Sequence, residues 1–260
     1  LTVTGVQTCA LPISRMSNEL LSTIDGPALR ITINRPEAGN GMSDDMALEL
    51  TKLLETAHER AQFVVLKAAG KDFCIGRASM GAAPATPARP EALERRDQSE
   101  VVFNCYGSFR RCALPVVGIV QGRALGFGAS IAALCDITIA SSEAKFQIPE
   151  MGHNIMPTMV MSALIDRVPR KHLGFLVYST DVVSAEDAFK YGLVSKVVAP
   201  ADLEKAEADI VARLTATPQP AQTGVKEYLR TAGDMHVAGA VDFARNIHAV
   251  VNSSSKMQRK

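Results

Sequence analysis

Two glycine-containing junctions carry the residues whose spacing could do chemistry. The first is Phe73-Cys74-Ile75-Gly76-Arg77, and the second is GRALGFGAS, residues 122–130. In the second, glycines precede a helix of small residues, so the first-turn amides and the helix dipole face whatever lies at its N-terminus. Such a position suits an anion. If the first junction supplied another N–H to the same point, the pair would form an oxyanion hole for a thioester carbonyl becoming an enolate.

Neither junction is specific when taken alone. Glycines at strand-to-helix turns also serve as tight-packing devices, and neither segment is a G-x-G-x-x-G fingerprint after a strand. The chemistry therefore depends on whether the fold brings the two junctions together.

Short strand-like and helical segments alternate from Met16 onward, which predicts a layered α/β protein. The predicted strands are 28–34, 63–66, 73–75, 116–121, 137–140 and 194–198. Ser43 is a plausible N-cap for the first helix, and the other predicted helices span 90–112, 157–166, 169–178, 184–191, 201–215, 220–231 and 237–252. Residues 81–90 (GAAPATPARP) predict a mobile loop.

Composition and charge exclude several classes of protein. The 260 residues are 47% hydrophobic and carry a net charge of +1, which argues against a disordered chain and against a nucleic-acid partner. The longest apolar stretches, 112–120 and 125–135, fall short of the roughly 18 residues that span a bilayer. The five cysteines contain no C-x-x-C pair, so no disulfide framework, no thiolate zinc site and a cytoplasmic location are expected.

The first fourteen residues, LTVTGVQTCALPIS, predict a separate leader. They lack a basic n-region and their apolar part is short and interrupted, so they do not fit a secretion signal. The stretch resembles translated sequencing adapter, and Met16 would then be a natural start. The alternative is a disordered native tail.

Several longer motifs occur in an order that resembles the enoyl-CoA hydratase/isomerase (crotonase) family, over nearly all of residues 20 to 232. They are ITINRPEAGNGM (31–42), KDFCIGR (71–77), LPVVGIVQGRALGFGASIAALCDITIA (114–140), KFQIPEMG (145–152) and SAEDAFKYGLVSKVV (184–198). The resemblance implies an α/β fold of the crotonase type, a spiral of ββα turns with a helical C-terminal region. Residues 15–199 would form the acyl-CoA-binding core, and 200–260 the helical region that packs in a homotrimer or hexamer.

The resemblance also implies a site. Members of the family hold the thioester oxygen of an acyl-CoA with two backbone amides, which would here belong to Arg77 and Phe127. The adenine end of CoA would lie near Ala38, and Lys226 would meet the nucleotide. Gly126, Gly128 and His153 would be pocket residues. The substrate would be the CoA thioester itself, with no other cofactor and no metal.

One departure from the hydratase pattern bears on the mechanism. A typical hydratase has two glutamates, of which one is present as Glu150 after Pro149, while Ser130 occupies the other position. Hydration needs a base for the water and an acid for the α-carbon, whereas moving a double bond needs one group that takes and returns a proton. The Ser130 and Glu150 pair therefore favours isomerisation. A hydratase with a substitute acid, Asp97 or Glu100, is the alternative.

Further departures keep other functions open. GFGASIAA also resembles the nucleophile turn of Clp-type serine peptidases, so Ser130 with His153 could form an acyl-enzyme and hydrolyse a thioester. A catalytically impaired acyl-CoA-binding protein is a further alternative. Ala78 replaces an aspartate usual in the family, and Phe127 replaces a glycine and adds a ring that could narrow the acyl pocket.

The last predicted helix carries an apolar surface that a monomer would leave exposed, which also favours an oligomer. Its residues are Val237, Ala238, Val241, Phe243, Ala244, Ile247 and Val250.

Overall fold

The computed structural model describes residues 18–78 and 91–258. The predicted leader at 1–14 and the whole loop predicted at 81–90 lie outside the described residues. None of the helices in the described ranges is long and apolar enough to cross a membrane.

Most strands belong to a six-stranded sheet with the order β1-β2-β3-β4-β6-β9. Only the hairpin β1–β2 is antiparallel, and the remaining pairs are parallel. The strands are β1 (Leu20–Asp25), β2 (Ala28–Ile33), β3 (Phe63–Ala68), β4 (Val116–Val120), β6 (Ile137–Ser141) and β9 (Lys196–Val198). The runs FVVL in β3 and VVGIV in β4 are apolar without interruption because both faces of these central strands are buried.

A second sheet has three short strands in the order β5-β7-β8. They are β5 (Arg123–Leu125), β7 (Lys145–Gln147) and β8 (Val183–Ser184). Strand β5 lies within the second glycine junction, directly before Gly126. This small sheet therefore fixes where the turn into α4 begins.

Ten helices lie in the described ranges. They are α1 (Asp44–Glu55), α2 (Ala92–Asp97), α3 (Glu100–Arg111), α4 (Phe127–Leu134), α5 (Thr158–Leu164), α6 (Arg170–Ser179), α7 (Ala185–Lys190), α8 (Leu203–Ala216), α9 (Gln219–Ala232) and α10 (Val237–Asn252). Ser43 caps α1 as predicted, since its side chain accepts a hydrogen bond from the Met46 N–H (3.2 Å).

Hydrophobic cores lie on both faces of the larger sheet. In β3, Val64 and Leu66 point into the main core, while Phe63 and Val65 point into a second, smaller core. Helix α8 covers the smaller core through Ala206 and neighbouring apolar residues. This helix lies in the segment assigned to the C-terminal region, yet it packs on the sheet.

The last two helices, α9 and α10, pack on each other. The ring of Phe243 stacks on Tyr228 with centroids 5.9 Å apart, and Ile247 lies against Gly224. Of the predicted apolar surface, Val237, Val241 and Val250 remain exposed. Part of that surface therefore covers α9, and part covers nothing within the chain.

Two predicted elements were wrong in detail. The segment 73–75 is not a strand: it makes a single bridge, Cys74 to Ala124, because the N–H groups of Phe73 and Cys74 both donate to the Arg123 carbonyl and regular alternation is lost. The helix predicted over 90–112 is two helices, α2 and α3, separated at residues 98–99.

Candidate active site

The two glycine junctions are adjacent in space. Cys74 bridges to Ala124, and the Leu125 N–H donates to the Cys74 carbonyl (2.9 Å). A β-carbon placed on Gly128 would lie 2.0 Å from that same carbonyl oxygen. Only glycine allows this approach, so Gly128 is required for the first turn of α4 to sit against the first junction.

The first junction is held on both sides of Arg77. The Met42 N–H donates to the Gly76 carbonyl (2.9 Å), and the Ala78 N–H donates to the Met42 carbonyl (2.8 Å). The Arg77 side chain turns away to pair with Asp44 at 2.5 Å. The backbone N–H of Arg77 has no acceptor among the described residues, which leaves it available to a ligand.

The second junction presents another free amide. Gly126 caps α4 with φ +49°, and its own N–H donates to the Gln147 carbonyl (2.9 Å). The N–H of Phe127, the first residue of α4, has no acceptor in the described part of the chain. The Phe127 ring packs against Tyr106, with centroids 5.1 Å apart. Two free N–H groups on adjacent junctions are what an oxyanion hole requires.

Glu150 supplies the carboxylate beside the second junction. It begins the 3₁₀ turn Glu150–His153 after Pro149, and the residue is only 6% exposed. Its Oε1 lies against Gly126, where an added β-carbon would be 2.6 Å away, and its Oε2 has no hydrogen-bond partner within the described ranges. Burial raises the pKa of the Glu150 carboxyl, while its own backbone N–H and His153 oppose the shift. A buried carboxyl group of raised pKa, with one oxygen free of hydrogen bonds, suits a general base.

Ser130 is fully buried on α4, and its hydroxyl is already engaged. The Oγ–H donates to the carbonyl oxygen of Gly126 (3.0 Å). His153 is exposed in the 3₁₀ turn, and no hydrogen bond joins it to Ser130. It lies close enough to Glu150 to lower the pKa of that carboxyl group. The structure thus does not bring Ser130 and His153 together as a nucleophile and its base.

Tyr106 is a site residue that the sequence analysis missed. It lies on α3, is 2% exposed, and is near enough to Ser130 and Glu150 for both to act on its pKa. Burial raises the pKa of the Tyr106 phenol group, so the phenol keeps its proton. Tyr106 lies on the buried face of α3 with Val102, Cys105 and Phe109. A phenol hydroxyl on a buried helix face was the sequence feature that could have identified it.

Asp97 and Glu100, the candidate substitute acids, have no effect on the pKa of the Glu150 carboxyl group. Asp97 is exposed at the end of α2, and Glu100 is half-buried at the start of α3. His153 acts on the Glu150 pKa, whereas neither Asp97 nor Glu100 does.

Ala38 lies in an exposed loop next to the first junction. It ends the 3₁₀ turn Pro36–Ala38, and the following Gly39 accepts a hydrogen bond from the Ile75 N–H (3.1 Å). The Asn40 side chain anchors the loop by donating to the carbonyls of Ala69 and Asp72. This loop therefore borders the candidate oxyanion hole, and the CoA contact at Ala38 stays a prediction.

A contact with the nucleotide requires a lysine whose ammonium group is free, but the Lys226 ammonium group is paired within the chain. Its Nζ is buried on α9, where it pairs with Asp136 at 2.5 Å and donates to the Phe109 carbonyl (3.0 Å). Asp136 in turn accepts from the Val116 N–H (2.8 Å). The ammonium group already has Asp136 as its counter-ion, and nothing in this arrangement supports the predicted contact of Lys226 with CoA.

Comparison with known proteins gives consistent results. The family model described as enoyl-CoA hydratase/isomerase matches residues 24–260. A crotonyl-CoA hydratase of Syntrophomonas wolfei is 31% identical over 66% of this chain, which spans 65% of that relative's length. A short-chain-enoyl-CoA hydratase of Clostridium acetobutylicum is 31% identical over 76% of this chain and 75% of its own. A trans-2-decenoyl-[acyl-carrier-protein] isomerase of Streptococcus mutans is 28% identical over 75% of each chain.

Solved structures agree with the fold predicted from the motifs. An enoyl-CoA hydratase of Mycobacterium smegmatis superposes with a TM-score of 0.85 at 26% identity, covering 93% of each chain. An enzyme described as a putative enoyl-CoA hydratase of Thermobifida fusca, in complex with CoA, gives a TM-score of 0.79 at 28% identity over 90% of this chain and 93% of its own. The crotonase-type α/β fold is thus confirmed, and the chain belongs to the enoyl-CoA hydratase/isomerase family of acyl-CoA enzymes.

Proposed function

We propose that this enzyme moves the double bond of an enoyl-CoA thioester, with Glu150 as the single acid/base and the N–H groups of Arg77 and Phe127 as the oxyanion hole. The observation that carries the proposal is a buried Glu150 carboxyl group whose Oε2 has no hydrogen-bond partner among the described residues, together with a Ser130 hydroxyl that donates its proton to Gly126. A single mobile proton suits isomerisation.

The steps balance on these groups alone. The Glu150 carboxylate removes a proton from C2 of a 3-enoyl-CoA, and the electron pair moves into the thioester carbonyl to give a dienolate. The two free N–H groups would stabilise the charge on the thioester oxygen, because backbone donors fixed in the fold need no rearrangement as the charge develops. Glu150 then returns the proton to C4, which leaves a 2-enoyl-CoA and restores the carboxylate.

Hydration is the second candidate, and the names of the relatives favour it. It requires a second group that takes or gives a proton at the water. Ser130 donates to Gly126, Tyr106 keeps its proton, and neither Asp97 nor Glu100 acts on Glu150. Hydrolysis by Ser130 and His153 has less support, since no hydrogen bond joins them.

A parallel incubation tests the proposal. The purified protein is given 3-enoyl-CoA, 2-enoyl-CoA and saturated acyl-CoA separately, and products are identified by chromatography and mass. We expect conversion of 3-enoyl-CoA to 2-enoyl-CoA without a mass change, and loss of this conversion in Glu150→Gln. A gain of the mass of water as the main product from 2-enoyl-CoA would favour the hydratase, and release of free CoA would favour the thioesterase.

A further inference from the structure

The Ser130 hydroxyl acts on the same peptide group that carries the Phe127 N–H. The carbonyl of Gly126 and the N–H of Phe127 belong to one planar peptide unit. The Gly126 oxygen accepts two hydrogen bonds from Ser130, one from its backbone N–H (3.0 Å) and one from Oγ (3.0 Å). The N–H on the other side of this peptide has no acceptor within the described residues.

Two donors on one carbonyl have two effects on the opposite N–H. They fix the plane of the peptide, and therefore the direction in which the Phe127 N–H points. They also polarise the peptide, which makes the N–H a stronger donor, because hydrogen bonds in a chain strengthen one another in a medium of low polarity. Both effects act before a substrate binds.

The surroundings hold the Ser130 hydroxyl in this role. Ser130 is 0% exposed, and Tyr106 lies beside it with its ring packed against Phe127. With the Ser130 proton given to Gly126, Oγ can accept from the Tyr106 phenol group. That hydrogen bond would extend the observed path from Ser130 through the Gly126 carbonyl to the Phe127 N–H back to Tyr106.

We propose that Ser130, supported by Tyr106, is a positioning residue that orients and polarises the Gly126–Phe127 peptide for the thioester oxyanion. The inference rests on the proposed oxyanion hole but not on which bond the enzyme moves. It assigns Ser130 no proton transfer and no covalent step.

Serine hydroxyls on helices often bond to the preceding turn for local reasons alone. Ser108 on α3 is such a case, since it is fully buried and its Oγ donates to the Cys105 carbonyl (2.7 Å). Cys105 and its following peptide lie within a continuous helix, so no free N–H depends on Ser108. Ser108→Ala is therefore the matched control for Ser130→Ala.

The experiment measures binding and turnover separately. A saturated acyl-CoA labelled with ¹³C at the thioester carbonyl is bound to wild type, Ser130→Ala and Ser108→Ala, and the carbonyl stretch is recorded by difference infrared spectroscopy. We expect the wild-type carbonyl band to lie at lower frequency than that of free acyl-CoA. In Ser130→Ala the band should move back a large part of the way toward the free value, and in Ser108→Ala it should match wild type. In steady-state assays, Ser130→Ala should lower kcat about three- to tenfold, as expected for one hydrogen bond, with KM within twofold.

Several results would overturn the inference. An unchanged carbonyl band and kcat in folded Ser130→Ala would show that the hydroxyl serves only the helix. A loss above about 10²-fold would instead indicate proton transfer or nucleophilic attack by Ser130. If Ser130→Ala does not fold, Tyr106→Phe decides the question. We expect its carbonyl band to move toward the free acyl-CoA value, by less than is expected for Ser130→Ala. A band identical to that of wild type would refute the inference. Failure of the proposed isomerisation is seen separately, as absence of product with a normal wild-type band.

Discussion

Glu150 lies in contact with Gly126: a β-carbon on Gly126 would be 2.6 Å from the Glu150 Oε1 atom. Gly126 is also the residue whose carbonyl forms the peptide carrying the Phe127 N–H. The proposed base and one proposed oxyanion donor therefore adjoin the same residue.

This contact predicts that Gly126→Ala inactivates the enzyme. The added methyl group would displace the Glu150 carboxyl group, and alanine at φ +49° would strain the turn that presents Phe127. We expect kcat to fall by about 10² or more, in the range seen when a general base is lost. Steady-state kinetics with 3-enoyl-CoA as the substrate measures this change in kcat.

Gly174→Ala is the control for that substitution. Gly174 lies in α6 with no atom within 4 Å of an added β-carbon. Alanine there should leave kcat unchanged and raise stability slightly, since alanine favours a helix by about 1 kcal/mol. Equal kcat in Gly126→Ala and wild type would mean that the carboxyl can act from another position.

Much of the fold could be predicted from the chain because local patterns and tertiary packing agree there. Helix α10 has the predicted bounds, and β2 and β4 differ from prediction by one residue at one end. The short strands β5 and β7 were missed because three residues carry no periodicity. The segment 73–75 resembled a strand by its apolar residues, but it makes only one bridge, from Cys74 to Ala124 of β5.

The site was predictable in its backbone and less so in its side chains. Glycines mark where the chain must approach closely, and Gly126 and Gly128 both do so. Tyr106 could not be placed, because its partners Ser130 and Glu150 lie 24 and 44 residues away along the chain. Lys226 was assigned by family position, and its burial against Asp136 depends on how α9 packs, which no local pattern shows.

Glu150→Gln should abolish turnover while preserving affinity. The amide keeps the shape of the carboxyl group and cannot accept the substrate proton, so we expect kcat to fall about 10²–10⁴-fold. The Kd for a saturated acyl-CoA, measured by calorimetry, should stay within several-fold of wild type. Unchanged turnover would place the base elsewhere, and His153 would be the next side chain to replace.

The same variant should be more stable than wild type at neutral pH. Burial raises the pKa of Glu150 in the folded protein above its ordinary value, so the charged form is disfavoured by folding. The penalty is present above the folded-state pKa and disappears below the unfolded-state value, where both states are protonated. Thermal unfolding should therefore give a higher Tm for Glu150→Gln at pH 7 and a gap that narrows toward pH 4. A gap that widens toward low pH would contradict the raised pKa.

We predict that the exposed apolar residues of α9 and α10 form the interface of a trimer or hexamer. Val225 and Leu229 on α9 and Val237, Val241 and Val250 on α10 remain exposed on the chain. Light scattering should give three or six times the 27.8 kDa chain mass. The double variant Val225→Glu, Leu229→Glu should dissociate, whereas Leu48→Glu, at an exposed apolar position on α1, should not. A stable wild-type monomer would contradict the prediction.

We predict that Lys226 stabilises the fold and does not bind the nucleotide. Its ammonium group is buried and the Asp136 side chain is only 13% exposed, so Lys226→Met would leave Asp136 without its counter-ion. Breaking a buried pair on one side costs about 3–5 kcal/mol, because the remaining charge is desolvated and uncompensated. We expect denaturant unfolding to show a loss of this order, and Lys226→Met with Asp136→Asn to recover part of it, because the asparagine oxygen can still accept from the Val116 N–H. The Kd for CoA should change less than twofold in both variants. A tenfold weaker Kd with unchanged stability would restore the nucleotide-binding role predicted from the family position.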